Sequence, residues 1–308
     1  MGILTGALPP SVLQRSVQHQ EEALETIKSH GFDISNMGRE IAETEQEFNN
    51  HTPFRKFCIQ HFLTLNEHGL YCNCVAAKAD DLQIGVKHGM FKGDVIPKLE
   101  LLLNRMKSEF ALARWLFYQS QQTEVEFAND SKFSELLDGE LINAQSEMLR
   151  TSFRTCYGIL DKIALGICKL YNLDAKKIYF ETFWDEPKRN STLNNNRNFH
   201  LNALYSIACD LNTKTGELNQ FKNWRNKLEH NLLVLRDTEK SPLDKYKIFE
   251  DTDFVVVVNP VDFKNKTLHL LQLTRAAIFS FVFCVRLQTI EYKVEGLEQF
   301  AFSIDFKK

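Results

Sequence analysis

The sequence predicts a mainly all-α protein with at most a small β element, and three observations carry that prediction. Glycine (13) and proline (7) are few in 308 residues, so little punctuates the chain. Three long stretches, Pro97–Gln121, Leu141–Tyr171 and Thr267–Tyr292, repeat apolar residues at intervals of three and four. The strongest strand signal is a single run, Asp253–Asn259 (DFVVVVN), closed by Pro260.

In chain order, Ser11–His30 reads as a polar helix ended by Gly31, and Ser35–Phe48 as a second. Pro53–Leu65 predicts a third, with Phe54, Phe57, Cys58, Phe62 and Leu65 on one side. Cys72–Pro97 is Gly-punctuated and less regular. Pro97 suits the first turn of the next helix, whose packing face carries Leu102, Met106, Phe110, Ala113 and Phe117. Lys107, Glu109 and Arg114 on that helix read as a solvated face. Ala128–Gly139, with an Asn-Asp-Ser break, marks a boundary. It separates an N-terminal helical region, residues 1–130 with a regulatory role expected of it, from a helical bundle over residues 138–308.

Leu141–Tyr171 places Leu149, Phe153, Cys156, Leu160, Ile163, Ala164 and Ile167 on one stripe, and Asn172 ends it. Glu147, Arg154 and Asp161, spaced by seven, line a neighbouring face. Lys177–Trp184 reads as a short extended piece. Glu186–Arg197 reads as a mobile basic loop with Lys188, Arg189 and Arg197. A helix over Phe199–Leu211 leads through Gly216 into the stretch Phe221–Leu235. Asp237–Thr252 is a charged loop. Thr267–Tyr292 is apolar nearly all round, which suits burial in the core or at a subunit interface. Phe300–Phe306 alternates and would add a terminal strand beside Phe254–Val258.

The net charge of −3 excludes a generally basic coat, so any nucleic-acid contact must be a local patch. Seven scattered cysteines (Cys58, Cys72, Cys74, Cys156, Cys168, Cys209 and Cys284) form no CxxC pair and read as free thiols in a reducing cytosol. Cys72 and Cys74 are too close for the usual zinc spacing. Met1–Ser11 lacks the basic start and apolar core of a signal peptide, and the longest apolar run, Ala276–Val285, is too short to span a bilayer. A soluble cytoplasmic protein with no membrane partner is the expectation.

The chemistry concentrates in Phe221–Leu235, FKNWRNKLEHNLLVL. Leu218, Phe221, Trp224, Leu228, Leu232 and Leu235 predict an amphipathic helix, yet Arg225 lies about 45° from the centre of that stripe. An arginine on a packing face is costly unless it is paired or meets an anion. Glu229 lies at the stripe's edge, and Asn226 and His230 continue round to the open side. Such an arc reads as a site in a cleft or interface; its bland counterpart is a polar network in a structural helix. Arginine is no metal ligand, i, i+5 spacing does not stack two ligands, and no Gly-rich phosphate loop is present. Neither metal nor cofactor is therefore expected.

Arg225-Asn226-x-x-x-His230 is similar to the signature of the HEPN superfamily (higher eukaryotes and prokaryotes nucleotide-binding). Arg55 and His61 match a looser spacing, but no Asn follows that Arg, and the pair is read as a decoy. Further residues resemble a long-form bacterial subfamily with an N-terminal helical extension: Glu147, Phe153-Arg154, Tyr157 and Asp161-Lys162, then Leu204-Tyr205 and Asp210-Leu211. Upstream, Asp80-Asp81-Leu82, Lys107, Glu109-Phe110, Ala113-Arg114 and Tyr118 look similar too.

The resemblance implies a bundle of four or five helices. Many HEPN proteins are metal-independent endoribonucleases of toxin–antitoxin or antiviral-defence systems, and that activity is expected here. His230 would act as base or acid, Arg225 would hold the phosphate and Asn226 would orient it. Glu229, Asp161, Lys162, Arg154 and Glu147 would support them, and Lys188, Arg189 and Arg197 would contact RNA. One helix offers one His where two proton-transfer groups are needed, so a homodimer is implied. An inhibitory antitoxin or defence-system partner would restrain the activity. Some HEPN toxins carry a Tyr two residues after the motif His, modified by a partner nucleotidyltransferase; here that position is Leu232, which argues against such a pair. The alternative is a non-catalytic HEPN module that binds RNA or a protein partner.

Overall fold

The computed structural model describes residues 48–70, 75–85, 95–122, 141–174, 178–185, 187–194, 196–236 and 254–290, with residues 21, 22, 25, 28 and 29. The chain forms two compact units, residues 1–51 with 74–76, and residues 52–73 with 77–308. In the first, residues 21, 22, 25, 28 and 29 are helical, and the Phe48 and His51 rings meet edge-on at 6.4 Å. The rest of the helices expected over Ser11–His30 and Ser35–Phe48 lies outside the described residues, as do Asp237–Thr252 and Phe300–Phe306.

The second unit is mainly α. Its described residues hold seven α-helices: α1 (Pro53–Gln60), α2 (Ile96–Gln119), α3 (Ala144–Leu170), α4 (Pro187–Asn194), α5 (Phe199–Asp210), α6 (Gln220–His230) and α7 (Pro260–Ile290). One two-stranded sheet, β1 (Leu232–Leu235) and β2 (Val255–Val258), accompanies them.

Helix α1 starts at Pro53 after Thr52, whose hydroxyl accepts the Arg55 N–H at 3.3 Å. It ends five residues before the expected Leu65. Phe62 turns left-handed (φ 55°), the Leu63 N–H bonds the Cys58 carbonyl at 2.7 Å, and the Phe62 N–H bonds that of Ile59. This is a Schellman stop with a phenylalanine where glycine is usual. Asn172 (φ 51°) closes α3 the same way, as its side chain suits.

The core lies where α2, α3 and α7 meet. Leu103, Met106 and Phe110 of α2, Phe153, Leu160 and Ile163 of α3, and Leu271, Ile278 and Phe281 of α7 are all fully buried. Gly166 allows the close approach: a Cβ there would lie 2.6 Å from Phe281 Cε2 and 3.0 Å from Leu102 Cδ2. Helix α7 begins at Pro260, seven residues earlier than expected, because Asn259 accepts the Val261 and Asp262 N–H groups at 2.9 and 3.4 Å. It is long and apolar enough to cross a bilayer by length and composition, yet most of that stretch is buried within the chain. Most of the helix thus meets the first of the two fates read for it, burial in the core.

Three further expectations change. Leu232–Leu235 is not the end of the motif helix but strand β1, pairing in parallel with β2 in the register Leu232↔Val255 to Leu235↔Val258. A Val-rich partner outweighs the helical period of four residues. Glu186–Arg197 is not a continuous loop, since Pro187 starts α4 at its favoured first position and Lys188 and Arg189 lie within that helix. Lys177–Trp184 is not extended: its described part, from Ile178, turns into a 3₁₀ segment over Phe183–Asp185.

The charges of α2 are not a solvated face either. Arg114 is 2% exposed, pairs with Asp80 and donates to the Leu63 carbonyl at 2.7 Å. Lys107 donates to the Leu82 carbonyl at 2.8 Å. From α7, Arg275 bonds the Thr64 and Gly69 carbonyls, each at 2.8 Å, and Arg286 bonds that of Ile84 at 2.9 Å. These cations bind the segment between α1 and α2 to both long helices. The boundary expected between residues 130 and 138 falls outside the described residues; α2, upstream of it, shares its core with α3 and α7.

Burial alone would raise the Asp80 carboxyl, but the hydrogen bond and charge of Arg114 outweigh it and hold it below the ordinary 3.8. A carboxyl lowered on folding stabilises fully above its unfolded value and loses that contribution as pH falls through the folded one. Stability is therefore expected to drop on acidification below about pH 4. Asp80→Ala leaves Arg114 buried without its carboxylate and should cost about 3–5 kcal/mol in urea denaturation at neutral pH. A loss under about 1 kcal/mol would refute this role for the pair.

Candidate active site

Helix α6 is fixed by an aromatic box. Phe221 and Trp224 project from it and meet Phe153 of α3 at 5.6 and 6.1 Å between centroids. Phe263 of α7 completes the box, 5.4 Å from Trp224 and 5.3 Å from Phe153. The apolar positions of the motif sequence form this contact, so the box sets the rotation of α6 and where Arg225 points. At its far end α6 stops abruptly. Asn231 leaves helical geometry (φ −140°, ψ −142°), and the Leu232 N–H bonds the Phe254 carbonyl at 3.1 Å as the chain enters β1. Arg150 of α3 holds β1 through the Leu233 carbonyl at 3.1 Å.

Arg225 lies at the flank of the box. Its guanidinium is 3.7 Å from the Asp161 carboxylate, donates to Asn226 Oδ1 at 3.5 Å, and lies 5.8 Å from the Tyr179 ring centroid. Asp161 accepts the Phe180 N–H at 2.9 Å, which ties the Tyr179–Glu181 segment to α3. One turn before Arg225, Lys222 pairs with buried Glu181 at 2.8 Å. The Tyr157 hydroxyl is buried among Glu181, Arg225 and Asp161 and has no hydrogen-bond partner. Burial raises the Asp161 carboxyl; Glu181 adds to the rise, while the Phe180 N–H, Arg225 and Lys162 oppose it without prevailing. Burial, with the two carboxylates, also pushes the Tyr157 phenol well up.

His230, the last residue of α6, is exposed, and so are Glu229 and Asn231. The expected supports divide. Asp161 meets the motif and Glu229 does not hold Arg225, whose carboxylate partner is Asp161. Lys162 pairs with Glu109 of α2 at 2.9 Å. Arg154 donates to Thr151 at 3.3 Å, and Glu147 pairs with Arg150, one turn along α3. The spacing by seven therefore brings only Asp161 to Arg225, while Glu147 and Arg154 find partners within α3. Arg197 is exposed, beyond α4. The set-aside pair is separate: Arg55 lies 3.9 Å from Asp80, and His61 caps α1.

Sequence reading assigned no role to Tyr157, Tyr179, Glu181 or Lys222. Lys222 was detectable, three residues before Arg225 and so on its face. Glu181 was a lone acid in an aromatic run, a pattern that points to a buried, paired charge.

Residues 90–288 match the family model described as LA2681-like HEPN. The chain belongs to this family. The matched stretch runs from α2 through both strands and nearly all of α7, and so includes Tyr157, Asp161, Arg225 and His230. No curated protein and no solved structure matches it. HEPN membership points to a nucleotide-binding or RNase-type function.

In this HEPN domain the Arg225 cluster presents a cation and carboxylates, on a helix that ends in an exposed histidine. Among the described residues, no three His, Cys, Asp or Glu side chains come together as a metal site. The unpartnered Tyr157 hydroxyl costs stability. Tyr157→Phe should raise stability by about 1 kcal/mol, read as a higher Tm in calorimetry. A lower Tm would show that the hydroxyl is satisfied in solution.

Proposed function

We propose that this HEPN protein is a metal-independent endoribonuclease of the toxin or antiviral-defence type, acting on RNA at a composite Arg225/His230 site. The carrying observation is Arg225: a part-exposed cation, loosely paired, on the helix that ends in an exposed His230. An RNA phosphate would compete with Asp161 for its guanidinium. His230 would take the proton of the 2′-OH as that oxygen attacks phosphorus, and the leaving 5′-oxygen would take a proton from a second imidazole. Arg225 would stabilise the charge on the phosphorane, with Asn226 orienting it. Lys188 and Arg189 of α4, with Arg197, would contact RNA beyond the scissile phosphate. Restraint by an inhibitory antitoxin or defence-system partner fits a toxic nuclease.

Purified protein should cut RNA in the presence of EDTA, and Arg225→Ala or His230→Ala should slow cleavage by about 10²–10⁴-fold with the fold intact. Arg55→Ala should cut like the wild type. A strict requirement for magnesium would overturn the mechanism. RNA binding without cleavage would leave a non-catalytic module.

The second imidazole would come from a homodimer whose two-fold axis passes beside Arg225 and His230. Sedimentation should give about twice the chain mass of 35.7 kDa. Excess His230→Ala chains mixed with wild type should lower the activity per wild-type chain, because mixed dimers lack one histidine. A fully active monomer would sink the composite site.

A further inference from the structure

Beside Arg225, on the side away from His230's helix end, the surface carries groups that phosphate binding does not use. Tyr179 exposes 47% of its surface, with the Arg225 guanidinium over its ring, 5.8 Å from the centroid. A flat exposed aromatic beside a phosphate-binding arginine is what a splayed-out nucleobase stacks on. Asp161 and Glu181 flank it, and an anion-binding surface has no need of two carboxylates. Glu181 commits one oxygen to Lys222; Asp161 gives one to the Phe180 N–H and holds the other, part exposed, 3.7 Å from Arg225, which a phosphate would draw away. The second, independent observation is Tyr157, 3% exposed, with its hydroxyl unpartnered among these groups.

We propose that Tyr179, Asp161, Glu181 and Tyr157 form a nucleobase subsite that takes guanine. The donor and acceptor inventory decides the base. The Watson–Crick edge of guanine presents one acceptor, O6, followed by two donors, N1–H and the N2 amino group. A hydroxyl donor beside carboxylate acceptors complements that order. Adenine offers a donor and an acceptor, cytosine one donor and two acceptors, and uracil a donor between two acceptors. Each of those has a donor for at most one of the two carboxylates. Stacking on Tyr179 would hold the ring while Arg225 takes the neighbouring phosphate. The proposal rests on the RNase reading for its setting, since it makes the subsite the part of the cleavage site that selects sequence.

The test separates the two. Full-length His230→Ala protein, which keeps the subsite, is titrated calorimetrically with 3′-GMP, 3′-AMP, 3′-CMP and 3′-UMP. 3′-GMP should bind at least about tenfold more tightly than the others. Tyr179→Ala should weaken it by about tenfold or more, and Tyr179→Phe should restore it, since the ring and not its hydroxyl carries stacking. Tyr157→Phe should narrow the preference for 3′-GMP over 3′-AMP while raising Tm, which a merely structural tyrosine would not do. Wild-type cleavage ends, mapped by sequencing, should fall beside G. Four nucleotides bound equally, or 3′-GMP binding unchanged in Tyr179→Ala, overturns the subsite, and cleavage without base preference then leaves the RNase reading standing. Selective 3′-GMP binding with no RNA cleavage keeps the subsite and sinks the RNase reading instead.

Discussion

The orientation of the motif helix depends on the aromatic box of Phe153, Phe221, Trp224 and Phe263. Helix α6 is short, and neither of its ends is anchored by its own sequence: Asn219 makes no side-chain cap, and the chain leaves helical geometry at Asn231. Helices of this length are marginal alone and take their stability from packing. Two large rings one turn apart, pressed between α3 and α7, supply that packing and fix the rotation of α6 about its axis. Arg225, the residue after Trp224, is thereby set against Asp161 rather than into solvent. The box also explains why α7 must start early. Phe263, a wall of the box, belongs to the first turn of that helix, which Asn259 and Pro260 initiate.

The sequence conveyed the fold class because the three long helices carry their periodicity in strongly apolar residues. It conveyed the motif because Arg225 interrupts such a stripe. What it missed has common physical causes. The period of a helix and the alternation of a strand are hard to tell apart over four residues, so Leu232–Leu235 read as helix until a parallel Val-rich partner claimed it. The stop at Phe62 was hidden because a left-handed phenylalanine sends no sequence signal. Arg114 read as solvated because its partner Asp80 lies 34 residues away. The Arg225 site was legible only in part for the same reason. Asp161 was picked out, but Tyr179, Glu181 and Tyr157 gain their meaning from a crossing of α3, α6 and the segment before α4 that spacing does not encode.

The arginines of α2 and α7 that hold the residues between α1 and α2 show how this unit uses charge in its framework, Arg114 and Arg275 being buried. Arg275 and Arg286 donate chiefly to backbone carbonyls, and Arg114 divides its bonds between the Leu63 carbonyl and Asp80. Arg114 pairs with the part-buried carboxylate of Asp80, and Arg286 with the exposed carboxylate of Glu67. Arg275 has none, and burial brings it down to about 10, still charged at neutral pH. Its guanidinium lies 4.8 Å from the Phe279 ring, a contact that compensates desolvation without a counter-ion. Residues 63–69 and 82–84 are thus held against α2 and α7 through their backbone carbonyls.

Two Asp–Arg pairs in the same unit have opposite electrostatic outcomes, and the difference bears on function. Arg114 grips Asp80 through both terminal nitrogens, and the carboxyl is driven below its ordinary value despite burial. Arg225 stands 3.7 Å from Asp161, beyond a good hydrogen bond, with Glu181 close by, and the carboxyl is driven above its ordinary value. The first arrangement is closed: each partner is better off with the other than with anything solvent could bring. The second is open. Asp161 gains too little from Arg225 to offset its desolvation and a second negative charge, so Arg225 retains most of its capacity for another anion. A phosphate, with a formal charge and oxygens spaced for the guanidinium fork, would displace so loose a partner at small cost. A tighter pair would stabilise the fold more and leave the guanidinium less open to another anion, and the proposed phosphate-binding role of Arg225 would need that compromise.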